Sequence, residues 1–394
     1  MHRDKRVYAQ DGQFNVYTFA DEAEAILQQH AAELEEDPNS APFFLYLAVP
    51  LIHMPVHPDP EVMADRDADL MVIDDMWRRR MGAMSIMLDG FVARVETSLR
   101  VTGLMNNTII IYASDNGAQV EGSQMGAGSN FPLRGSKGSL YEGAVRVPAF
   151  VYSPLLGHSD ETPGGSIDGI FHVSDWLPTL LQGALGRDLS SYNLALDGVD
   201  QWDYLLGAVD AAPRTQVLLN LDTVTGIAAI RMGNYKLLLN ESTDVGWYSG
   251  DEPGLDLCFA SCTNTVQLFD LSTDEEERQD VSQQQTELVA SMRAEVQRYW
   301  SIAPAPAYCG VSDEDAVDKW FRKNQVEPWI SLDVDDEGHA VDYTCPEDSI
   351  SAGWCTMVDA DTALPPPPTD AMGSTIYMGG HKVKMGNKDL PSRR

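Results

Sequence analysis

Residues 103–117 read GLMNNTIIIYASDNG, which is a short apolar run followed at once by a polar loop. The part from Thr108 to Ala113 is rich in β-branched residues and predicts a buried strand. Similar runs at Phe43–Val49 and Val147–Tyr152 predict two more strands. Apolar residues recur at helical spacing from Trp77 to Val101, which predicts a long helix between the first two strands. The alternation of strands and helices predicts an α/β fold with a doubly wound, mostly parallel sheet.

Further elements are predicted along the rest of the chain. The segment Phe19–Glu36 favours a helix, and another helix is predicted from near Asp175, with Pro178 in its first turn. Beyond residue 209, the Gly233-Asn234 pair is a good hairpin turn between two short β-prone runs. These short β-prone runs and the amphipathic stretch after them predict a smaller antiparallel sheet with a covering helix. The predicted strands are at 217–221, 227–232, 235–239 and 266–271, and the predicted helix is at 286–300.

These elements divide the chain into four predicted regions. An α/β domain, incomplete in its sheet, covers residues 1–209, and a small antiparallel α+β subdomain covers residues 210–303. An acidic extension that contains cysteines follows over residues 304–360. The last region, residues 361–394, begins with a proline run and is predicted to be disordered.

The charge balance excludes one broad class of function. The 394 residues include 27 Lys and Arg against 60 Asp and Glu, for a formal net charge of −33. A general nucleic-acid binder needs positive charge against phosphates, so no nucleic-acid partner is expected. One pocket can still carry local positive charge and bind a small anion. No apolar stretch reaches the ~18 residues needed to cross a bilayer, so no membrane span is expected.

The cysteines indicate an oxidising compartment. All of them lie late in the chain, at Cys258, Cys262, Cys309, Cys345 and Cys355. This clustering without a Cys-x-x-Cys pair favours disulfides over zinc, and two glycosylation sequons, at Asn106 and Asn240, fit a glycoprotein. We therefore expect a secreted, lysosomal or lumenal protein. No signal peptide follows Met1, which leads us to expect that an N-terminal segment is missing.

Three sites could carry chemistry, because each follows a predicted strand at its carboxyl end, where α/β sheets bind ligands. Asp115 and Asn116 offer oxygens that suit a hard cation, although Asp-Asn-Gly is also a common turn. Lys137 lies in a glycine-rich loop and can bind an oxyanion, although a solvated basic loop is the alternative. His53 can bind an anion or act as an acid or base, with His57 as a neighbouring competitor.

Further short motifs accompany these residues along the chain. In chain order the motifs are PFFLYLA (42–48) with His53, GLMNNT (103–108), SDNG (114–117), PLRG (132–135) with Lys137, YEG (141–143), HVSDWLPTL (172–180), LDG (196–198), IRMGNYKL (230–237) and LFDL (268–271). Taken together, these sequence words and their order resemble the sulfatase family of the alkaline-phosphatase-like superfamily, most closely the arylsulfatase B type. Any one of them is weak, but the set is specific. Residues 1–209 then correspond to the C-terminal part of a sulfatase catalytic domain.

The resemblance implies a sulfuric ester hydrolase that uses a divalent cation, usually Ca²⁺, with Mg²⁺ as the alternative. Asp115 and Asn116 would be metal ligands, Lys137 would bind sulfate oxygens, and His53 would contact the sulfate and help to protonate the leaving alcohol. The expected ligand is a sulfated small molecule or carbohydrate. The oligomeric state is not readable from the sequence.

The chain departs from the family pattern at the nucleophile. Family sulfatases use a cysteine within Cys-x-Pro-Ser-Arg, and no cysteine of this chain stands in that context. The first-strand Asp-Asp ligands and a Lys and a His upstream of His53 are also missing. We therefore expect the chain as given to be inactive. The alternatives are a non-catalytic secreted protein that binds sulfated glycans, and a phosphate or phosphonate ester hydrolase of the same superfamily.

Overall fold

The computed structural model describes most of the chain up to residue 303. The described ranges are 13–120, 127–157, 165–192, 195–222, 226–248 and 265–303, together with the backbone of two short strand pairs near the chain ends. The chain forms two compact units. Unit 1 comprises residues 1–215 and 244–258, and unit 2 comprises residues 216–243 and 259–394.

The helices and strands have the following bounds. The α-helices of the described residues are α1 (Asn15–Glu36), α2 (Pro60–Asp65), α3 (Asp67–Leu70), α4 (Met76–Val101), α5 (Glu142–Val145), α6 (Trp176–Pro178), α7 (Trp202–Leu205) and α8 (Thr286–Ile302). The strands are β1 (His2–Arg3), β2 (Arg6–Val7), β3 (Ile110–Ala113), β4 (Ala149–Tyr152), β5 (Gln216–Leu221), β6 (Ala228–Met232), β7 (Tyr235–Leu239), β8 (Val266–Asp270), β9 (Tyr377–Met378) and β10 (His381–Lys382).

Helices α1 and α4 pack against each other in unit 1, and both were predicted. Their contact buries Val16 and Ala20 of α1 against Met87 and Phe91 of α4, which removes the apolar stripe of each helix from water. The Asp75 carboxylate caps α4 by accepting a hydrogen bond of 2.8 Å from the Arg78 backbone amide. The long helix α4 then ends just before the segment that leads to β3.

The predicted strand at Phe43–Val49 is wrong for the described residues. The segment has no regular secondary structure, and its side chains alternate between partly buried and exposed positions. Phe43, Leu47 and Val49 pack against the α1/α4 clusters, whereas Phe44 is 83% and Tyr46 81% exposed. Since no described strand pairs with this segment, it has the side-chain pattern of a strand but no ladder hydrogen bonds.

Strands β3 and β4 were both predicted, but their direction was not. They pair antiparallel, with Ile110 opposite Tyr152 and Ala113 opposite Ala149. At this pair the sheet departs from the mostly parallel arrangement that the sequence predicts. The physical reason is the connection, because its described parts, residues 114–120 and 127–148, contain no long crossover helix that would return the chain to the starting edge.

Unit 2 contains an antiparallel sheet in the order β5-β6-β7-β8, and helix α8 packs on one of its faces. Ile230, Leu237 and Leu268 of the sheet meet Met292 and Val296 of the helix in one buried cluster. Full burial of such a side chain contributes about 1.5–3 kcal/mol, so this layer supplies much of the stability of unit 2. The predicted antiparallel sheet and covering helix are confirmed.

The opposite face of this sheet buries an ion pair. The Lys236 ammonium of β7 lies 2.9 Å from the Glu277 carboxylate, and both side chains are 0% exposed. Such a pair persists because removal of either partner would leave the other charge buried. The lysine belongs to one of the sequence words that resemble sulfatases.

Other predictions fall where the structure is not described. Apart from the backbone of β9 and β10, the cysteine-containing extension and the tail lie outside the described residues, as do all five cysteines. Among the described helices, none combines the length and apolarity that a transmembrane helix requires.

Candidate active site

The loop that carries Asp115 and Asn116 leaves the end of β3 and is held by backbone hydrogen bonds. The Gly117 amide donates to the Ala144 carbonyl oxygen at 2.8 Å. A Cβ atom at residue 117 would lie 1.8 Å from the Gly143 carbonyl oxygen, so only glycine fits this close approach. The glycine of the SDNG word therefore has a steric role, which is to let the acidic loop lie against residues 143–144.

The loop that carries Lys137 is built on glycines and buried serines. Gly135 and Gly138 have φ angles of +102° and +96°, conformations that favour glycine. Ser136 is fully buried, and its Oγ accepts a hydrogen bond of 3.2 Å from the Val120 amide. Within the described part of the chain the Lys137 ammonium makes no ion pair and is half-buried, so its charge is available to an anion.

The two loops are directly connected. The Lys137 amide donates to the Ala118 carbonyl oxygen at 3.0 Å, two residues beyond Asn116. The Gly143 amide donates to the Arg134 carbonyl oxygen at 2.6 Å, which closes the loop around the lysine. The structure thus brings the predicted cation ligands and the predicted oxyanion-binding lysine into one framework, while their roles stay predictions.

His53 lies on a separate exposed segment. Its Nδ1 is 2.9 Å from the Met54 carbonyl oxygen. A carbonyl oxygen only accepts hydrogen bonds, so this contact favours the tautomer with a proton on Nδ1 and leaves Nε2 for a ligand. No hydrogen bond within the described ranges joins this segment to the Asp115 loop or the Lys137 loop. The competitor His57 instead places its ring edge-on to Phe14, with centroids 6.0 Å apart.

The donor atoms of Asp115 and Asn116 fit part of a divalent cation site. The Asn116 side-chain amide donates to the Gly117 carbonyl oxygen at 2.9 Å, which leaves its Oδ1 as the atom for a ligand. The Asp115 carboxylate is exposed and accepts no hydrogen bond from the described residues. A hard cation takes such oxygens, but Ca²⁺ needs about 6–8 of them. No group of three or more acidic, His or Cys side chains suited to a metal occurs among the described residues.

Arg134 is a structural residue of the site whose role sequence reasoning missed. Its buried guanidinium lies over the Tyr141 ring at 4.0 Å and the Trp247 ring at 4.7 Å, and its Nε donates to the Val245 carbonyl oxygen at 2.7 Å. Stacking of this kind suits the planar guanidinium better than a lysine. The motif PLRG contains Arg134, but no neighbouring residue in the sequence indicates that some of its partners lie more than 100 positions away.

A second buried polar cluster surrounds Asp175 in the HVSDWLPTL word. Its carboxylate accepts hydrogen bonds from the Arg214 Nε at 2.8 Å, the Val199 amide at 2.8 Å and the His172 amide at 2.9 Å. Burial acts to raise the pKa of Asp175, but these hydrogen bonds outweigh it and hold the pKa below its ordinary value. The cluster stabilises the start of a helical segment and is not part of the two site loops.

The fold and the two loops define a class of protein. Residues 5–186 match the sequence profile of the Sulfatase family. Residues 5–186 therefore form a sulfatase-family domain, and the chain has the alkaline-phosphatase-like α/β fold. The resemblance drawn from the sequence words is confirmed.

Curated relatives support this assignment, and solved structures support the fold. Arylsulfatase J of Mus musculus is 30% identical over 76% of this chain and 50% of its own length. The crystal structure of Ps i-CgsB is 24% identical, with a TM-score of 0.61, over 82% of this chain and 62% of that one. The crystal structure of the PsFucS1 sulfatase from Pseudoalteromonas sp. is 22% identical, with a TM-score of 0.51, over 71% and 52% of the two chains. The chain spans about half the length of the curated relatives it matches.

Proposed function

We propose that the complete product of this gene hydrolyses sulfate esters at the framework formed by the Asp115 loop and the Lys137 loop. The observation that carries the proposal is the hydrogen bond from the Lys137 amide to the Ala118 carbonyl oxygen, which ties the loop of Lys137 to the loop of the proposed cation ligands. The match of residues 5–186 to the Sulfatase family supports the reaction class.

Each residue has a stated role in this proposal. Asp115 and Asn116 hold a divalent cation, with Ca²⁺ preferred over Mg²⁺, and that cation supplies charge neutralisation for the sulfate group. Lys137 binds sulfate oxygens and stabilises the negative charge that develops on them. His53 donates a proton from Nε2 to the leaving alcohol, while the hydrogen bond to the Met54 carbonyl fixes its ring.

The substrate class follows from the anion chemistry of the site. A single ammonium and one cation suit a compact sulfate ester rather than an extended polyanion, because the net charge of −33 repels long polyanions elsewhere. We propose a sulfated aryl compound or a sulfated sugar as the ligand. We also propose a secreted or lysosomal location, on the basis of the late cysteines.

A second candidate is favoured by one observation. The motif Cys-x-Pro-Ser-Arg, whose cysteine family sulfatases convert to the formylglycine nucleophile, does not occur in residues 1–394. This chain therefore supplies no such nucleophile to its site. On its own, the chain would bind sulfated sugars without turning them over. Calorimetric titration of the chain with a sulfated disaccharide, with the desulfated sugar as the control, measures this directly, and absence of heat would remove the candidate.

The catalytic proposal is tested with the complete gene product and an aryl sulfate. We expect Lys137→Ala to lower kcat/KM by about 100-fold or more, because a preorganised charge at the oxyanion is lost. Arg187→Ala, which removes an exposed cation of the same unit, is the matched control and should change little. Equal effects of the two substitutions would contradict the role of Lys137. The corresponding aryl phosphate is assayed in parallel. Faster hydrolysis of the aryl phosphate than of the aryl sulfate would favour the phosphate ester hydrolase named above as the alternative.

The role of His53 has its own experiment. A residue that protonates the leaving alcohol matters most when that alcohol leaves poorly, so His53→Ala should slow alkyl sulfates more than nitrophenyl sulfate. His57→Ala is the control, since the His57 ring packs near Phe14. A uniform loss across leaving groups would show that His53 binds sulfate without donating a proton.

A further inference from the structure

The side chain of Asn130 joins the two loops of the candidate site. Its Oδ1 accepts a hydrogen bond of 2.8 Å from the Ala118 amide. Its Nδ2 donates to the Ala118 carbonyl oxygen at 2.9 Å and to the Gly135 carbonyl oxygen at 3.0 Å. One carboxamide therefore uses both N–H donors and its acceptor, with partners 12 and 5 residues away in the sequence.

These partners flank the groups assigned to ligand binding. Ala118 lies two residues after Asn116, and Gly135 lies two residues before Lys137. The Ala118 carbonyl oxygen also accepts the Lys137 amide hydrogen bond at 3.0 Å, so Asn130 and Lys137 share one acceptor. A shift of the Asn130 side chain would move this shared carbonyl and with it both loops.

The packing around Asn130 leaves little room for an alternative arrangement. A Cβ atom at Gly143 would lie 2.9 Å from the Asn130 Cβ and 2.6 Å from the Arg134 carbonyl oxygen. An asparagine side chain that only stabilised a turn would bond to its immediate neighbours, as the Asn39 side-chain amide does when it donates to the Asp37 carboxylate. Asn130 instead spans two segments that are separate in the sequence.

We propose that Asn130 is a positioning residue, which sets the separation between the cation ligands Asp115 and Asn116 and the Lys137 ammonium. The proposal rests on the proposed function of the same site. Residues that orient metal ligands through hydrogen bonds affect cation affinity by about 10–100-fold, and displacement of a catalytic group by about 1 Å can cost about 100-fold in rate.

The test uses two variants with different losses. Asn130→Ala removes all three hydrogen bonds, whereas Asn130→Asp keeps the size and the acceptor but removes both N–H donors. Ser129→Ala is the matched control, because the Ser129 hydroxyl donates to the Tyr248 carbonyl oxygen at 3.0 Å and does not link the two site loops. Five quantities are measured: the Ca²⁺ affinity, kcat and KM of the complete gene product, and the amide hydrogen exchange and unfolding midpoint of the 394-residue chain.

We expect both Asn130 variants to lower Ca²⁺ affinity by about 10-fold and kcat by about 100-fold, while KM changes less than about 3-fold. Amide exchange at Lys137 should rise in both, and the unfolding midpoint of Asn130→Asp should stay close to that of Ser129→Ala. Values for the Asn130 variants that match Ser129→Ala in Ca²⁺ affinity, kcat and amide exchange would overturn the proposal. If Lys137→Ala and Asp115→Ala also have no effect, the proposed function fails as well; if those two do lower activity, only the role of Asn130 fails.

Discussion

The loops of the candidate site and the sheet of unit 2 become ordered by different means. The sheet is held by regular ladders and a continuous apolar layer against α8. The loops contain almost no regular structure and depend on single hydrogen bonds and on glycines such as Gly117, where a Cβ atom has no space. The stability of the sheet therefore depends on many contacts, whereas the arrangement of the site loops depends on a few residues.

The largest effect is expected at Gly117. Gly117→Ala places a methyl group against backbone that cannot move aside, and we expect a loss of about 4 kcal/mol in the free energy of unfolding or complete loss of the loop arrangement. Gly90→Ala is the control, because no atom lies within 4 Å of its Cβ position in helix α4. That substitution should stabilise by about 0.5–1 kcal/mol. Urea unfolding measures both, and a mild effect at Gly117 would break the comparison.

The next effect concerns the buried Lys236–Glu277 ion pair of unit 2. Lys236→Met removes the ammonium that lies 2.9 Å from the buried Glu277 carboxylate, and we expect destabilisation by about 3–5 kcal/mol. The double variant Lys236→Met/Glu277→Leu replaces both charges with apolar groups and should recover most of that loss. Denaturant unfolding of the two variants decides the point. No recovery in the double variant would mean that this pair is needed for specific packing as well as for charge balance.

The smallest effect is a pH dependence near Asp175. Burial and the positive charge of Arg214 hold the pKa of His172 below its ordinary value, against the opposing charges of Asp175 and Asp197. The unfolded chain then binds a proton at higher pH than the folded one, so stability falls as the pH drops from about 6.5 towards the lowered pKa. Thermal unfolding across this range should show a shallower dependence for His172→Gln. An identical pH dependence in both proteins would contradict this assignment.

The sequence predicts local elements well and their partners poorly. Helix α4 and the β6–β7 hairpin are encoded by apolar spacing and by the Gly233-Asn234 turn, which act within a few residues. The antiparallel pairing of β3 with β4 depends on the path of a 35-residue connection, which no local pattern records. For the same reason the sequence wrongly predicts a paired strand at Phe43–Val49.

The candidate site shows the same division. The words SDNG and PLRG with Lys137 identify both loops, because their residue types suit a cation and an oxyanion. The contacts that hold these loops were not predictable. The Arg134 stack on Trp247 and the Asn130 bonds to Ala118 join positions that are distant in sequence, and each looks like an ordinary polar residue when read alone.

The most direct test of the central claim is a crystal structure of the chain grown with Ca²⁺ and selenate as a heavy analogue of sulfate. The account predicts selenate oxygen within about 3.2 Å of the Lys137 ammonium and the cation about 2.3–2.6 Å from oxygens of Asp115 and Asn116. Anomalous scattering identifies each ion without ambiguity. Ions bound at unrelated surfaces, with both loops ordered and their side chains turned apart, would contradict the claim that these loops form one site.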